Sequence, residues 1–346
     1  MLKESPNGSR RFQILALSGG GFRGVYSAAV LKAFEEAAKK PLGQCFDLIA
    51  GTSIGGIIGL GIALEKPMAE VLNAFQDHGS SIFSDRPAPK SFLGRAWDLR
   101  RSICKPKYRV DGLTAAVKQI LGSETRLEDA LHPIIVPTVN VTTGSPQFFK
   151  TPHHQKFQSD WKHRVVDIAL ATSAAPTFFP LAKIENSHFA DGGLYANAPD
   201  IHALHEAVYF LGAQEAEVHM LSIGTTTSTF SFSHCIGRDL GAWEWMLGSR
   251  LLSVIGSAQQ QCEVSMMKHR LSERYLRIDE NQSKEQQSDL GLDVATRDAQ
   301  EMLAAMGSES AKRALGDARL IELLSHHANP VTFFHGKRST GNGGNK

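Results

Sequence analysis

Short apolar runs alternate with glycine-rich turns and helical spacings along the first part of the chain. Phe12–Leu17 is a mostly apolar run that predicts a buried strand, and residues 25–40 carry apolar side chains at helical intervals. Residues 46–50 form a second apolar run, which leads through a glycine-rich turn into a small-residue helix over 57–64. Strand, glycine turn and helix thus occur twice in succession, which predicts a parallel α/β sheet.

The pattern continues to about residue 230, after which strand signals become sparse. The segments predicted as helices are 68–78, Asp111–Leu121, 165–171, 199–211, much of 239–269, 293–306 and 310–326. The segments predicted as strands are 134–141, 147–150, Val218–Ile223 and 275–279. We therefore expect an α/β fold in which a central, mostly parallel sheet is flanked by helices, with a helical C-terminal elaboration.

One compact domain over residues 11–330 is the simplest organisation, because no repeat or long linker interrupts the pattern. It would include a lid-like basic insertion at about 81–109 and a helical C-terminal part at about 239–330. The terminal segments 1–10 and 337–346 are polar, and we expect them to be disordered.

Composition limits the classes of partner and compartment. The 346 residues are 42% hydrophobic, enough for a substantial core, and the formal net charge of +2 favours no charged partner. The longest apolar stretch, over 57–64, is far shorter than the roughly 20 residues of a membrane helix, and the first residues show no secretory signal. The cysteines form no CxxC pair, as expected in a reducing cytosol. We expect a cytoplasmic protein that meets lipid from its surface.

The strongest chemical signal is a G-x-S-x-G elbow, Gly51-Thr52-Ser53-Ile54-Gly55. It follows a predicted strand and precedes a predicted helix, which is the context in which a serine is held outward on a sharp turn. Gly51 and Gly55 are needed because side chains there would collide with the neighbouring backbone. The N-terminus of the helix favours negative charge at the serine. Ser53 is therefore predicted to be a nucleophile.

A second glycine turn, Gly19-Gly20-Gly21-Phe22-Arg23-Gly24, follows the first strand. Consecutive glycines expose a row of backbone N–H groups, which suit an oxyanion or a phosphate. The loop lacks the lysine of a G-x-x-x-x-G-K-[ST] phosphate loop, so an oxyanion hole beside Ser53 is the better interpretation. Arg23 would anchor the loop or contact a substrate head group, and Gly24 supports the motif.

A third motif, Asp191-Gly192-Gly193, supplies a base. The motif alone is also an ordinary turn. A serine hydroxyl needs a neighbouring base to act as a nucleophile, and an aspartate within hydrogen-bonding reach can accept its proton. Asp191 is predicted to be that base, with Gly192 and Gly193 shaping the turn.

Taken in chain order, SGGGFRG, GTSIGG, SAAPTFFP and DGGLYANAP resemble the motifs of the patatin-like phospholipases, over residues 12–225. The resemblance implies a three-layer patatin-like fold, a dyad of Ser53 and Asp191, and an oxyanion hole from the amides of Gly19–Gly21. It also implies calcium-independent cleavage of fatty-acyl esters of membrane phospholipids, without a required cofactor, at the inner membrane surface. Two positions depart from the family pattern: Ser18 replaces an aspartate common in the family, and Asn197-Ala198-Pro199 replaces the commoner N-N-P.

The segment from 81 to 109 stands out because it holds eight Lys/Arg against two acids, with aromatic residues interleaved. It reads as a solvated insertion, as a lid or membrane-docking surface, or as a pocket for a phosphate-bearing regulator. Patatin-like proteins of this size, with a YLRID-like strand near the C-terminus, are similar to effectors of bacterial anti-phage (CBASS) defence. That resemblance implies activation by a cyclic dinucleotide such as 3',3'-cGAMP. The candidate nucleotide contacts are Arg95, Arg100, Arg101 and Lys107.

Other functions remain open on the sequence alone. An α/β-hydrolase triad would need a histidine after Asp191, and the candidates are His202, His205 and His219. A non-catalytic lipid or nucleotide sensor would have lost the motif residues, and none is lost. A phosphate loop at 19–24 lacks its lysine, and nucleic-acid binding has only the basic segment in its favour. The histidines show no ligand spacing, so we expect no metal. The chain can be an oligomer.

Overall fold

The computed structural model describes residues 11–83, 106–226, 239–241, 245, 250–283 and 285–339. The predicted disordered segment 1–10, most of the insertion at 81–109 and residues 340–346 lie outside these ranges. Three of the candidate nucleotide contacts, Arg95, Arg100 and Arg101, lie outside them as well.

The described strands form one mixed sheet of eight strands. They are β1 (Phe12–Leu17), β2 (Leu48–Gly51), β3 (Ile134–Asn140), β4 (Ser145–Lys150), β5 (Ala182–Ile184), β6 (Ser187–Asp191), β7 (Val218–Ile223) and β8 (Tyr275–Ile278). Their order is β5-β6-β3-β2-β1-β7-β8, and β4 pairs with β3 outside this path. Neighbouring strands in the series β3-β2-β1-β7-β8 are parallel to one another. The pairs β3–β4, β3–β6 and β5–β6 are antiparallel. The predicted mostly parallel sheet is confirmed.

Helices cover both faces of this sheet. They are α1 (Gly24–Ala38), α2 (Ile54–Ala63), α3 (Met68–Ile82), α4 (Asp111–Leu121), α5 (Val165–Thr172), α6 (Asp200–Tyr209), α7 (Arg250–Leu271), α8 (Gln286–Asp289), α9 (Arg297–Ala314) and α10 (Ala318–Ser325). Side chains alternate along β1, so that Leu15 and Leu17 join a large apolar cluster with α1 to α5, α9 and α10. Ile14 and Ala16 join a smaller cluster with α6 and α7 on the other face. The expected three-layer α/β arrangement is confirmed.

The structure corrects the prediction near the C-terminus. A helix was expected to end at residue 306, before Gly307, but α9 continues to Ala314. A Cβ at Gly307 would lie 2.6 Å from the carbonyl oxygen of Tyr26 on α1. The glycine is therefore a point of close contact between α1 and α9, and packing overrides its low helix propensity. The last helix is correspondingly shorter than expected, Ala318–Ser325. The sequence pattern also gave no sign of β5, which has only three residues.

The strand register brings the three chemical motifs to one edge of the sheet. Leu17 at the end of β1 lies beside Gly51 at the end of β2, so the glycine loop and the serine elbow leave the sheet together. The antiparallel β6 returns toward this edge, where its last residue Asp191 lies opposite Thr138 of β3. Functional groups in open α/β sheets commonly cluster at the carboxyl ends of the parallel strands.

Candidate active site

Ser53 lies on a strained turn between β2 and α2. Its φ of 55° and ψ of −124° place a non-glycine residue where L side chains are rare, as in other nucleophile elbows. The turn is compact because Gly55 packs on the end of β1, where a Cβ would lie 2.5 Å from the carbonyl oxygen of Leu17. Ser53 is 9% exposed, whereas the preceding Thr52 is fully buried. Gly51 ends β2 immediately before this turn.

Two threonines that sequence reasoning missed hold the elbow in place. The N–H of Ser53 donates to Oγ1 of Thr172 over 3.0 Å, and the Thr172 hydroxyl donates in turn to the carbonyl oxygen of Pro137 over 2.7 Å. Thr52 donates from Oγ1 to the carbonyl oxygen of Ala196, in the loop after Asp191, over 2.5 Å. Both threonines are fully buried, so these bonds replace water around the polar atoms beneath the nucleophile.

Asp191 ends β6 and faces Ser53. Burial raises its pKa from 3.8 to about 6, and hydrogen bonds from the Gly193 amide and the Ser53 side chain oppose that rise. The Gly193 N–H donates to Oδ1 over 2.7 Å, and the Asp191 N–H donates to the carbonyl oxygen of Ala174 over 3.0 Å. The structure thus brings the two predicted catalytic residues together, with Gly192 and Gly193 forming the 3₁₀ turn after the carboxylate. A carboxylate with a pKa near 6 is a suitable base at neutral pH.

The glycine loop lies beside the elbow, since a Cβ at Gly19 would come within 3.3 Å of Cβ of Ser53. Of the three predicted oxyanion donors, Gly19 already has a partner: its N–H donates to the carbonyl oxygen of Asn197 over 2.9 Å. The amides of Gly20 and Gly21 have no acceptor within the part of the chain that the structure describes. Gly21 adopts a φ of +56°, which favours glycine. The arrangement leaves two amides, not three, for an oxyanion.

Arg23 anchors this loop. Its Nη1 donates to the carbonyl oxygen of Thr226 over 3.2 Å, and its Nε lies 3.5 Å from the carbonyl oxygen of Gly20. Burial lowers the pKa of Arg23 to about 10, and the nearby Asp279 opposes the fall. Of the two roles predicted for Arg23, the contacts favour the anchor over a head-group contact. Gly24 begins α1 and packs on Ile54 at the start of α2.

A buried polar group from the C-terminal part of the chain supports the same loop. Arg277 donates from Nη1 to the hydroxyls of Ser18, over 2.9 Å, and Ser222, over 2.7 Å. Its Nη2 is 2.8 Å from Oδ2 of Asp279. Although burial opposes the charge, attraction to Asp279 raises the pKa of Arg277. Ser18 is the position where the family commonly has aspartate, and here its hydroxyl accepts from an arginine. Arg277 lies in the YLRID strand noted in the sequence, but the sequence alone gave it no role.

The remaining predicted residues lie elsewhere. Lys107 pairs with Asp293, with Nζ 2.8 Å from Oδ2, and Tyr108 donates to the same oxygen. His202 packs against Phe148, His205 stacks on Tyr209, and His219 pairs with Gln13 near the opposite ends of the strands. In the described ranges, the hydrogen-bond partners of Ser53 and Asp191 include no histidine, so the geometry does not support a triad.

The described residues contain no group of three or more His, Cys, Asp or Glu side chains placed to hold a metal ion. None of the described helices combines the length and apolar character that a membrane crossing requires.

Comparison with known proteins identifies the family to which the chain belongs. A family model described as patatin-like phospholipase matches residues 15–204. A cGAMP-activated phospholipase of Pseudomonas aeruginosa is 39% identical over 330 residues, covering 94% of this chain and 95% of the relative. Proteins of the same name from Vibrio cholerae and Escherichia coli are each 35% identical, covering 86% and 87% of this chain and 90% and 89% of their own lengths. The chain therefore belongs to the patatin-like phospholipase family and is a serine acyl hydrolase of that class.

Proposed function

We propose that Ser53 and Asp191 form a catalytic dyad that cleaves fatty-acyl esters of membrane phospholipids. The observation that carries the proposal is the contact between a serine on a strained elbow and a buried carboxylate whose pKa is about 6. The glycine loop meets this pair at Gly19, and the amides of Gly20 and Gly21 that follow have no acceptor among the described residues. The set contains a nucleophile, a base and an oxyanion site, which together suffice for acyl transfer.

In the first half-reaction, Asp191 accepts the proton of the Ser53 hydroxyl while Oγ attacks the ester carbonyl. The Gly20 and Gly21 amides hold the oxyanion that forms. Collapse of this intermediate breaks the carbon–oxygen bond to the lysophospholipid, whose oxygen takes the proton from Asp191. One well-placed oxyanion donor is worth about 3 kcal/mol of transition-state stabilisation.

In the second half-reaction, a water molecule gives a proton to Asp191 and attacks the acyl carbon on Ser53. The same amides hold the second oxyanion. Release of the fatty acid breaks the acyl–Oγ bond, and the Ser53 oxygen recovers the proton from Asp191. The cycle consumes one ester and one water, and it needs no metal or redox partner.

Control by a cyclic dinucleotide is the second part of the proposal. Three relatives that align over most of this chain and most of their own lengths bear the name cGAMP-activated phospholipase. We infer the same type of activator for this chain, with 3',3'-cGAMP as the first candidate and a role in anti-phage defence. The site of action would be the inner membrane surface, reached from the cytoplasm. We also propose that residues 11–330 form one domain. The residues of the activator site and the oligomeric state are likewise questions for experiment.

The test is hydrolysis of a fluorogenic phospholipid in vesicles, without added metal, by wild-type protein and Ser53→Ala. Each is assayed alone and with a panel of cyclic dinucleotides. Release that needs both Ser53 and one nucleotide supports the whole proposal. Serine-dependent release without any nucleotide would keep the dyad and contradict the activator. Release by Ser53→Ala at the wild-type rate would contradict the dyad.

A further inference from the structure

A closed chain of polar contacts joins the glycine loop to the C-terminal part of the molecule. Gln260 on α7 accepts from Nδ2 of Asn197 over 3.2 Å and donates from Nε2 to Oδ2 of Asp279 over 3.4 Å. Asp279 pairs with Arg277, which donates to Ser18 at the start of the loop. This series of contacts closes where the Gly19 amide donates to the carbonyl oxygen of Asn197. We call the residues involved the loop-support ring: Ser18, Gly19, Asn197, Gln260, Arg277 and Asp279.

The ring is largely buried, so its polar groups depend on one another for hydrogen bonds. Gln260 is 6% exposed, and the side chains of Arg277 and Asp279 are 8% and 16% exposed. The Asp279 carboxylate fills the space where Gly224 lacks a side chain, because a Cβ there would lie 2.0 Å from it. Buried polar groups in such a network are costly to leave unpaired, so satisfied partners favour one arrangement.

Helix α7 also holds the backbone that follows the catalytic aspartate. Gln259 accepts from the Ala198 N–H over 3.0 Å and donates to the Ala198 carbonyl oxygen over 3.2 Å. Glu263 accepts from the Ile201 N–H over 3.0 Å. The side chains of one helix thus fix residues 197–201, and Asn197 in that segment receives the glycine loop. The position of α7 is thereby transmitted to the amides beside Ser53.

From these contacts we infer that Gln260, with Arg277 and Asp279, acts as a positioning residue that holds the Gly20 and Gly21 amides where the oxyanion forms. The inference rests on the proposed dyad and oxyanion hole. None of the three residues lies in the part of the chain that the family model matches, which ends at 204. They act through Ser18 and Gly19 and do not touch the reacting atoms.

The decisive variant is Gln260→Glu, which keeps the size of the side chain and its acceptor for Asn197. It replaces the donor facing Asp279 with a second carboxylate, and the repulsion displaces the ring. Arg277 also donates to the same Oδ2 of Asp279, so the added charge acts on the atom that links Gln260 to the rest of the ring. Gln261→Glu is the matched control, since Gln261 is exposed and its side-chain amide donates to Ser257 one turn earlier on the same helix.

Wild type, Gln260→Glu, Gln261→Glu and Ser53→Ala are assayed at pH 8 with 3',3'-cGAMP present, on a soluble p-nitrophenyl ester. The inhibition constant of a trifluoromethyl ketone, whose tetrahedral adduct carries an oxyanion, is measured beside kcat and KM. For Gln260→Glu we expect kcat to fall about 10- to 100-fold, with KM within about twofold and the inhibition constant rising in parallel.

Two results would overturn the inference. One is a Gln260→Glu enzyme with the same kcat and inhibition constant as Gln261→Glu. The other is a Gln260→Glu enzyme whose kcat falls while the inhibition constant stays at the wild-type value, because the loss would then not lie at the oxyanion site. Thermal unfolding of every variant is recorded to match the folded fractions. Hydrolysis surviving in Ser53→Ala would contradict the dyad itself, so the two failures are distinguished.

Discussion

The backbone N–H of Ser53 donates to the hydroxyl of Thr172, which lies 119 positions later on α5, over 3.0 Å. Thr172 donates onward to the carbonyl oxygen of Pro137 on β3. The strained elbow is therefore tied through one buried hydroxyl to the strand opposite Asp191. This bond also occupies the Ser53 amide, which leaves the oxyanion to the glycine loop.

Removing the Thr172 hydroxyl should loosen the elbow. Thr172→Val keeps the shape but leaves the Ser53 N–H and the Pro137 carbonyl unpaired in a buried site, at a cost of about 1–3 kcal/mol each. We expect a lower urea midpoint and a fall in kcat of about tenfold or more. Thr172→Ser keeps the hydroxyl and is the control. Equal kcat and equal stability in the two variants would contradict this role.

The pH dependence of the reaction should report Asp191. The base is active only when ionised, and its pKa in the free enzyme is about 6. We therefore expect kcat/KM for a soluble ester to rise with pH and to reach half of its plateau near pH 6. The measurement is an initial-rate profile from pH 4.5 to 8.5 in buffers of constant ionic strength. A profile that stays flat across pH 5–7 would exclude Asp191 as the base.

Asp191 should also reduce stability at neutral pH. Its pKa is raised on folding, from 3.8 to about 6, so the carboxyl favours the folded state fully below pH 3.8 and loses that contribution as pH rises through 6. A shift of this size corresponds to about 3 kcal/mol. We expect Asp191→Asn to be inactive yet harder to unfold than wild type at pH 8, with little difference at pH 4. Urea titrations at both pH values measure this. A variant less stable than wild type at pH 8 would contradict it.

The ion pair of Lys107 and Asp293 links the end of the basic segment to the glycine loop. The carbonyl oxygen of Leu292, next to Asp293, accepts from the Phe22 N–H over 2.8 Å, and Gly21 packs against it. We expect Lys107→Met and Asp293→Asn to lower kcat and the melting temperature alike. A double-mutant cycle should give a coupling of about 1 kcal/mol, since the pair is partly buried.

The same two variants test whether Lys107 binds the activator. A lysine whose role is its ion pair should leave the 3',3'-cGAMP concentration for half-maximal activity unchanged. We expect that result for both variants, measured by titration of vesicle hydrolysis. A tenfold rise confined to Lys107→Met, with Asp293→Asn unaffected, would instead make Lys107 a nucleotide contact.

The sequence was sufficient for the parts of the site that depend on local geometry. A glycine turn after a buried strand and a G-x-S-x-G elbow have one workable conformation each, so Ser53 and the glycine loop could be placed at one sheet edge in advance. Asp191 needed only the chain order of the motifs. These features are short-range, because the conformation of each turn follows from the residue types within it.

What could not be predicted depends on contacts between distant segments. No local pattern indicates that the Gly19 amide is taken by Asn197, or that Thr172 supports the elbow. Gln260 and Arg277 occupy ordinary helix and strand positions, and only the packing of α7 and β8 brings them to the loop. The length of α9 was missed for the same reason, because Gly307 is a helix breaker until it meets α1.

The shallow burial of helix α7 affects the dynamics of the enzyme when no substrate is bound. Over its 22 residues the buried positions number four, Gln260, Glu263, Met267 and Leu271, and two of these are polar. Because so few positions are buried, we expect fast amide hydrogen exchange in the first turns of the helix. The exchange would occur by local opening that leaves the strands intact. An opening that extends to Gln260 would separate its side chain from Asn197. The ability to react then depends on whether this one helix is docked, and an inactive molecule still keeps its whole sheet folded.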